Sequence, residues 1–252
     1  MAKQVGLIKL NGNVGDLSFF KSKTNGFQAR MKTGVSADRI ASDPAFARTR
    51  ENGSEFGRAQ QEGKKLRGLL KDVLFQNADS RFSLRLANRL LKVIQTDSVN
   101  IRGERGLVAE NLVMLQEIEC NNRTKLADIS LLPIALNYDR SSGTGTLECA
   151  QLIPMLNIAK LKGATHVRYM LVLQEFSGED LDQRPSIQRS EYVDLMTTDP
   201  IDLQLTATLQ ADASKSVLLL AGLEYFQLVN SAYYPLANGK YNALTIKQVY
   251  TP

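Results

Sequence analysis

Hydrophobic and polar positions follow a helical period in two segments, from Asp43 to Leu74 and from Asp79 to Gln95. Asp43 and Pro44 predict the start of the first helix, because a carboxylate can accept the free amides of a first turn and proline fits there. Arginines and lysines fill the positions between the apolar residues. The apolar positions are Phe46, Phe56, Ala59, Leu66, Leu69, Leu70, Val73 and Leu74. This pattern predicts a basic, amphipathic helical hairpin broken near Gln76.

The second helix is expected to turn its apolar side inward and to carry a cationic stripe on another side. Asp79 or Ser80 is the expected cap. The inward positions are Phe82, Leu86, Leu90, Val93 and Ile94, and the stripe is Arg81, Arg85, Arg89 and Lys92. Such a stripe is typical either of a solvated helix face or of a docking surface for phosphates and carboxylates. Four glycines (Gly53, Gly57, Gly63 and Gly68) predict either a break near Gly53 or close approach of a partner backbone.

Residues before the first helix have the pattern of three short strands, Val5–Leu10, Leu17–Lys23 and Phe27–Lys32. Turn chemistry lies at residues 11–16 and at Asn25-Gly26, which predicts a tight hairpin. Residues 33–42 are expected to be a polar connector. A meander this small is marginal in water, so it is expected to pack either on its own helices or on another molecule.

From Gly106 onward, short apolar and β-branched runs alternate with turn residues, which predicts an antiparallel β-sandwich. The runs are Leu112–Cys120, Ile129–Tyr138, Gly145–Ile153, Thr165–Gln174, Ser190–Leu195, Ile201–Leu209, Ser216–Phe226 and Ala243–Val249. The run around Ser216–Phe226 also fits a buried helix, and strand is the preferred interpretation. The predicted fold class is α+β, with an N-terminal β-hairpin arm (1–35), a basic α-helical hairpin (36–104) and a C-terminal β-sandwich (105–252).

Charge is distributed unequally along the chain. Residues 1–104 contain 19 Lys and Arg against 10 Asp and Glu, a net charge of +9, whereas residues 105–252 have a net charge of −4. A basic segment can bind nucleic acid, a membrane surface or an acidic protein. The acidic segment of a second copy is one such partner. Two cysteines, Cys120 and Cys149, are too few for a disulfide framework and are expected to be reduced and buried.

The sequence indicates neither a membrane span nor export. No run approaches the roughly 20 apolar residues of a membrane span, and the N-terminus lacks the apolar core of a signal peptide. The expected location is therefore the cytoplasm or an assembled particle.

Motifs for catalysis are missing from the sequence. His166 is the single histidine, and its apolar surroundings favour a structural role. No nucleophile elbow, phosphate loop or dinucleotide turn occurs. The acidic segment Glu175-Phe176-Ser177-Gly178-Glu179-Asp180-Leu181-Asp182 lacks EF-hand spacing and favours a solvated loop. No catalytic, cofactor-binding or metal-binding residue is assigned.

Three N-terminal motifs, IKLNGNVGDLSFF, ARMKTGVS and RIASDPAFARTRENGSEFGRA, resemble those of a group of uncharacterised bacterial proteins. That group shares a glycine-punctuated hairpin and an Asp-Pro-x-Phe-x-Arg-x-Arg-x-Asn helix, followed by a more variable β-rich half. The resemblance covers about the first 95 residues. It implies an assembly or attachment module placed before differing β domains, and it carries over no catalytic residue.

The leading hypothesis is a non-enzymatic structural subunit that forms a filament, tube or phage-like particle by arm exchange and contacts between basic and acidic surfaces. A nucleic-acid-associated protein without sequence specificity is the alternative, and an enzyme of unrecognised type is a third. The candidate interface residues are Leu7, Ile8, Leu10, Phe19, Phe20, Phe27, Arg30, Arg48, Arg50, Phe56, Arg81, Arg85 and Arg89.

Overall fold

The computed structural model describes residues 1–32, 34–178, 184–212 and 214–252, and it combines helices with several antiparallel sheets. The chain forms two compact units, residues 1–50 and 51–252. These units differ from the three segments that the sequence suggested. The physical reason is that the helices after residue 51 and the largest sheet share one hydrophobic core, so they belong to one unit.

The N-terminal unit contains a four-stranded antiparallel sheet in the order β1-β4-β3-β2. Its elements are β1 (Ala2–Lys3), β2 (Gly12–Val14), β3 (Leu17–Ser22), β4 (Gly26–Met31), α1 (Ala37–Ser42) and a 3-10 turn (Pro44–Phe46). Strands β3 and β4 pair from Leu17 with Met31 to Ser22 with Gly26, so a three-residue connection replaces the expected two-residue turn.

Two further predictions for this unit are wrong. The segment predicted as a strand at Val5–Leu10 is a loop, because the Gln4 carboxamide accepts from the Leu10 amide at 2.8 Å and donates to the Leu10 carbonyl at 3.2 Å. The predicted polar connector contains helix α1, whose first turn is capped by the Ser36 hydroxyl accepting from the Arg39 amide.

The long helices are α2 (Ala47–Leu69), α3 (Lys71–Asn77) and α4 (Phe82–Gln95). Asp43 caps the preceding 3-10 turn by accepting from the Ala45 amide at 2.9 Å, as expected. Helix α2 continues through Gly53 without a break. A Cβ at Gly63 would lie 3.5 Å from Leu90 of α4, an ordinary van der Waals contact, so the packing of α2 on α4 does not require glycine there. The predicted inward face of α4 is buried.

The second unit contains two further antiparallel sheets. One has seven strands, β10-β8-β12-β14-β5 with β13 and β9 attached, and the other has three in the order β11-β7-β6. Their strands are β5 (Ile118–Glu119), β6 (Ala135–Asp139), β7 (Thr144–Leu152), β8 (His166–Phe176), β9 (Ser186–Arg189), β10 (Val193–Asp194), β11 (Ile201–Thr208), β12 (Ser216–Val229), β13 (Ala232–Pro235) and β14 (Ala243–Tyr250). Two short helices, α5 (Leu126–Ile129) and α6 (Pro154–Asn157), and two 3-10 helices (Ala109–Leu115 and Leu236–Gly239) connect them.

Five predicted strands correspond to β7, β8, β11, β12 and β14. The alternative of a helix around Ser216–Phe226 is excluded, because these residues pair with both β8 and β14. The other predicted runs are largely wrong. In Leu112–Cys120, residues up to Leu115 belong to a 3-10 helix and only Ile118–Glu119 is strand. Ile129–Tyr138 is strand only from Ala135, and Ser190–Leu195 is strand only at β10. Short helical turns, α5 and α6, lie in the connections between the strands.

Strands β8 and β12 are buried on both faces, which explains their continuous apolar sequences. On one face, Leu219 and Leu223 pack in a core with Leu147 and Leu205 of the three-stranded sheet. On the other face, Leu218 and Leu220 pack in a core with the buried side of α4 and α2. Residues of the largest sheet therefore contribute to both hydrophobic cores.

The loop after α4 is fixed to helix α2 by buried polar groups. Glu55 accepts from the Gly103 amide at 2.9 Å, and Arg58 donates to the Gly103 carbonyl at 2.8 Å. Asp97 accepts from the Gly106 amide and from the Asn100 side chain. Some of the basic residues of α2 therefore serve internal packing rather than an external partner.

Candidate functional site

The N-terminal unit has no hydrophobic core of its own. Throughout residues 1–32 and 34–50, not one apolar side chain is buried, and Gln28 is the one buried residue. Folding of a domain depends mainly on the apolar area removed from water. A small sheet that keeps its apolar side chains exposed gains little from folding, so a surface that covers them would add most of its stability.

The apolar loop, residues 5–10, contains the two most exposed hydrophobic side chains among the described residues of this unit, Leu7 and Val5. The exposed fractions are 91% for Val5, 104% for Leu7 and 83% for Ile8. Gln4 closes the loop through its carboxamide bonds to Leu10 and a further bond from Nε2 to the Gln28 carbonyl at 3.0 Å. The loop thus has a defined base, and its apolar tip is available for contact.

The aromatic residues of this sheet are half-buried and lie beside cations. The Arg30 guanidinium is 5.4 Å from the ring centre of Phe20, and the Lys21 ammonium is 5.3 Å from that of Phe27. Phe19 is opposite Ala29 on the neighbouring strand. Strands β1 and β2 are the sheet edges, and edge strands have unpaired amide and carbonyl groups that can bind another chain.

A second candidate surface lies in the other unit, in a cavity of about 390 Å³ between α4 and the β5 region. We call it the cationic cleft and define it by its charged lining residues, which are Arg85, Arg89, Lys92, Lys125, Glu117 and Glu119. Two asparagines, Asn88 and Asn122, and the buried Ile118 complete the lining. The cleft brings two arginines of the predicted stripe together with residues far away in the sequence.

The guanidinium of Arg85 forms part of the cleft wall and has internal partners. It lies 2.9 Å from the Asp79 carboxylate and donates to the carbonyls of Glu119 and Cys120 at 3.0 Å. Burial alone would raise the pKa of Asp79, but hydrogen bonds from Arg85 and from the amides of Asn122 and Arg81 outweigh it and lower the pKa. Arg85 therefore holds the wall in place, whereas Arg89 and Lys92 are exposed.

The two glutamates of the cleft differ in environment. Glu117 forms an ion pair with Lys247 at 2.7 Å and has a φ of 59°, an uncommon backbone conformation for a residue with a side chain. Glu119 is partly buried and accepts from the Thr245 hydroxyl at 2.6 Å. Burial raises the pKa of Glu119 and Glu117 adds to the rise, against the Thr245 hydrogen bond and the charges of Lys247 and Lys125.

Sequence reasoning identified Arg85, Arg89 and Lys92 but not Glu117, Glu119 or Lys125. The alternation of Glu117 and Glu119 about Ile118 was a usable signal, because residues two apart in an extended segment share a face. Nothing in the sequence indicated that this segment lies beside α4.

The remaining predicted interface residues occupy varied positions. Arg48 is exposed, and Phe56 is exposed to 36% on α2. Arg50 donates to the carbonyls of Ile40 and Asp43 at 2.7 and 2.9 Å, so it fixes the turn before α2. Arg81 is exposed at the start of α4.

Residues considered for catalysis or metal binding form no group in the described ranges. The His166 ring contacts the Thr165 hydroxyl at 2.9 Å and the Tyr233 ring edge-on at 5.0 Å. Cys120 and Cys149 are free and buried, as expected. In the predicted acidic loop, Glu175 and Phe176 belong to β8, and residues 179–182 lie outside the described residues.

Within the described ranges, no helix has the length and apolar character needed to cross a bilayer. No group of three or more His, Cys, Asp or Glu side chains in these ranges could hold a metal ion.

Comparisons of this chain with family models, with curated proteins and with solved structures give no match. The resemblance of its N-terminal motifs to a bacterial group therefore stays a prediction, and the functional argument depends on the geometry of the two surfaces.

Proposed function

We propose that the chain is a non-enzymatic structural subunit that assembles with copies of itself, and that the N-terminal unit is its connecting element. The observation that carries this proposal is the N-terminal sheet without a buried apolar side chain in its described residues. A second copy is the partner that is always present at the concentration of the protein itself.

The charge distribution supports a second copy of the chain as the partner of the N-terminal unit. The N-terminal unit has nine Lys and Arg against three Asp and Glu, a net charge of +6, whereas residues 105–252 have a net charge of −4. Opposite potentials on two surfaces accelerate encounter and favour one orientation. Because donor and acceptor surfaces differ, the contact is head-to-tail and can continue into a filament, a tube or a particle shell.

The acceptor that we favour is a groove along β11, in which the exposed Glu191 and Asp202 lie beside Val193 and Leu203. Strand β11 pairs with β7 on one side. A peptide segment laid along the other side could add main-chain hydrogen bonds, with apolar contacts from the loop and ionic contacts from the basic residues. We also propose that the three-stranded and seven-stranded sheets form the β-sandwich expected from the sequence.

Sedimentation velocity over a range of protein concentrations tests this function, with the double variant Leu7→Asp/Ile8→Asp beside the unchanged chain. Burying a leucine or isoleucine contributes about 1.5–3 kcal/mol, so losing two at an interface weakens association by a factor of about 100 or more. The control is Val99→Asp/Ile101→Asp, which replaces two side chains exposed to 89% and 70% in the other unit.

We expect oligomers for the unchanged chain and the control, and monomers for the Leu7→Asp/Ile8→Asp variant. High salt is expected to weaken assembly through the charged contacts. A chain that stays monomeric at about 100 μM, or a variant that assembles like the control, would refute the proposal.

Nucleic-acid association without sequence specificity is a second candidate, and the exposed cations of the cationic cleft favour it. Because Arg85 has internal partners, charge reversal at Arg81 and Arg89 is the better test. A salt-dependent mobility shift that both reversals abolish would support this function, and the absence of a shift at low salt would exclude it.

A further inference from the structure

The cationic cleft has the charge and size of a small-ligand site that assembly does not explain. We propose that it binds a phosphorylated sugar, with the phosphate against Arg89, Lys92 and Lys125 and a sugar hydroxyl on Glu119. The inference is independent of the self-assembly proposal, because every lining residue belongs to residues 51–252.

Three of the four cations that line the cleft, Arg89, Lys92 and Lys125, form no ion pair among the described residues. Arg85 is paired with Asp79, and Glu117 is paired with Lys247. Among the described residues, Lys92 and Lys125 have no ion pair, and the one hydrogen bond of the Arg89 side chain is to the Met114 carbonyl at 3.4 Å. Three cations converging on one cavity favour a multiply charged anion, and phosphate accepts several charge-assisted hydrogen bonds at once.

Glu119 gives the cleft a second recognition element. Its Oε2 accepts from Thr245 at 2.6 Å, and Oε1 has no hydrogen-bond partner among the residues that the structure describes. A free carboxylate oxygen beside three cations disfavours bare phosphate, since part of the positive potential is cancelled. The free oxygen of Glu119 instead favours a ligand that carries a hydroxyl group next to its phosphate, because the hydroxyl can donate to Oε1.

The dimensions of the cleft suit a ligand larger than a single ion. Its volume of about 390 Å³ lies within the range of roughly 300–1,000 Å³ typical of small-molecule sites. The exposed Asn88 and Asn122 add amide donors and acceptors to a wall otherwise formed by charged groups and Ile118. Internal hydrogen bonds of Arg85 and Glu117 hold this wall in place without a ligand, as expected of a preformed site.

Isothermal titration calorimetry at constant ionic strength tests the assignment, with ribose 5-phosphate as the probe and with inorganic phosphate, ribose and a short single-stranded oligonucleotide as comparisons. The site variant is Lys92→Ala/Lys125→Ala, and its matched control is Lys160→Ala/Lys162→Ala, which removes two exposed lysines outside the cleft. Glu119→Gln tests the hydroxyl contact separately, and circular dichroism checks that each variant is folded.

We expect ribose 5-phosphate to bind the unchanged chain and the control alike, and the site variant at least about tenfold more weakly, because two charge-assisted contacts are lost. Glu119→Gln is expected to reduce the preference for ribose 5-phosphate over inorganic phosphate. No binding at about 10 mM ligand, equal binding by the site variant, or equal affinity for phosphate and ribose 5-phosphate would each overturn the proposal. Tighter binding of the oligonucleotide would replace it with nucleic-acid association.

Discussion

Replacement of Arg168 by methionine is expected to cost much of the stability of the second unit, because Arg168 neutralises the buried Glu224. The Glu224 side chain is 3% exposed, and its Oε2 accepts from Arg168 Nη2 at 2.8 Å and from Nε at 3.2 Å. Asn77 of α3 donates to Oε1 at 3.0 Å, and Arg189 lies at 3.7 Å. These contacts link three strands and a helix through one carboxylate.

The magnitude follows from what remains after the substitution. Breaking a buried ion pair by removing one partner costs about 3–5 kcal/mol. Asn77 and Arg189 still face Glu224 in the variant, so we expect the low end, about 3 kcal/mol, or roughly a 150-fold change in the unfolding equilibrium. Methionine retains an apolar stem between Tyr192 and Phe226, whose ring centres lie 5.1 and 5.0 Å from the Arg168 guanidinium. Lost packing therefore contributes little.

Arg189→Met is the matched comparison, since it removes another cation from the same carboxylate. At 3.7 Å and with 33% side-chain exposure, this pair is expected to contribute only about 0–1 kcal/mol. A double-mutant cycle of Arg168→Met with Glu224→Gln isolates the coupling, which we expect at about 2 kcal/mol.

Urea denaturation followed by circular dichroism measures these free energies. An Arg168→Met variant within about 1 kcal/mol of the unchanged chain, or equal to Arg189→Met, would contradict the reasoning, because it would mean that Glu224 does not need its nearest cation.

Three further predictions concern the backbone and the pH dependence of the second unit. Gly57→Ala is expected to raise the free energy of unfolding by about 0.5–1 kcal/mol, because the glycine lies inside α2 and a Cβ there meets nothing within 4 Å; a loss in urea denaturation would contradict this. Gly239→Ala is expected to destabilise by more than about 1 kcal/mol, because φ is +77° and a Cβ would lie 2.2 Å from the Gln76 carbonyl oxygen; an unchanged urea midpoint would contradict it. Hydrogen bonds from the Asn100 side chain and from the amides of Gly106, Asn100 and Val99 lower the pKa of Asp97 in the folded chain. The contribution of Asp97 to folding stability is therefore present above its unfolded pKa of about 3.9 and is lost as pH falls through its folded pKa. Asp97→Asn is expected to lower the unfolding temperature at pH 7, and to lower it by less near pH 3. A decrease in unfolding temperature that is independent of pH would contradict this.

Sequence patterns predicted the elements whose pattern is regular over many residues. The apolar face of α4 and the alternation of β11 follow directly from helical and extended periodicity. Strand β12 was ambiguous, because burial on both faces removes the alternation that identifies a strand. The pairing of these residues with β8 and β14 identifies them as a strand, and such pairing depends on tertiary structure.

The errors lie where local side chains override the pattern. Val5–Leu10 has the composition of a strand, yet one carboxamide on Gln4 closes it into a loop. Leu112 and Leu115 have the apolar character of a strand, yet they are buried in a 3-10 helix against the core of α4. The cationic cleft was predictable only as a stripe on α4, because Glu119 and Lys125 reach it through long-range contacts.

Amide hydrogen exchange of residues 12–31, measured by mass spectrometry at several protein concentrations, tests the central claim most directly. If another copy completes the N-terminal sheet, protection of these amides should rise with concentration and fall again in the Leu7→Asp/Ile8→Asp variant. Protection that is the same at every concentration and in the variant would show that the sheet is stable within one chain, which contradicts the account.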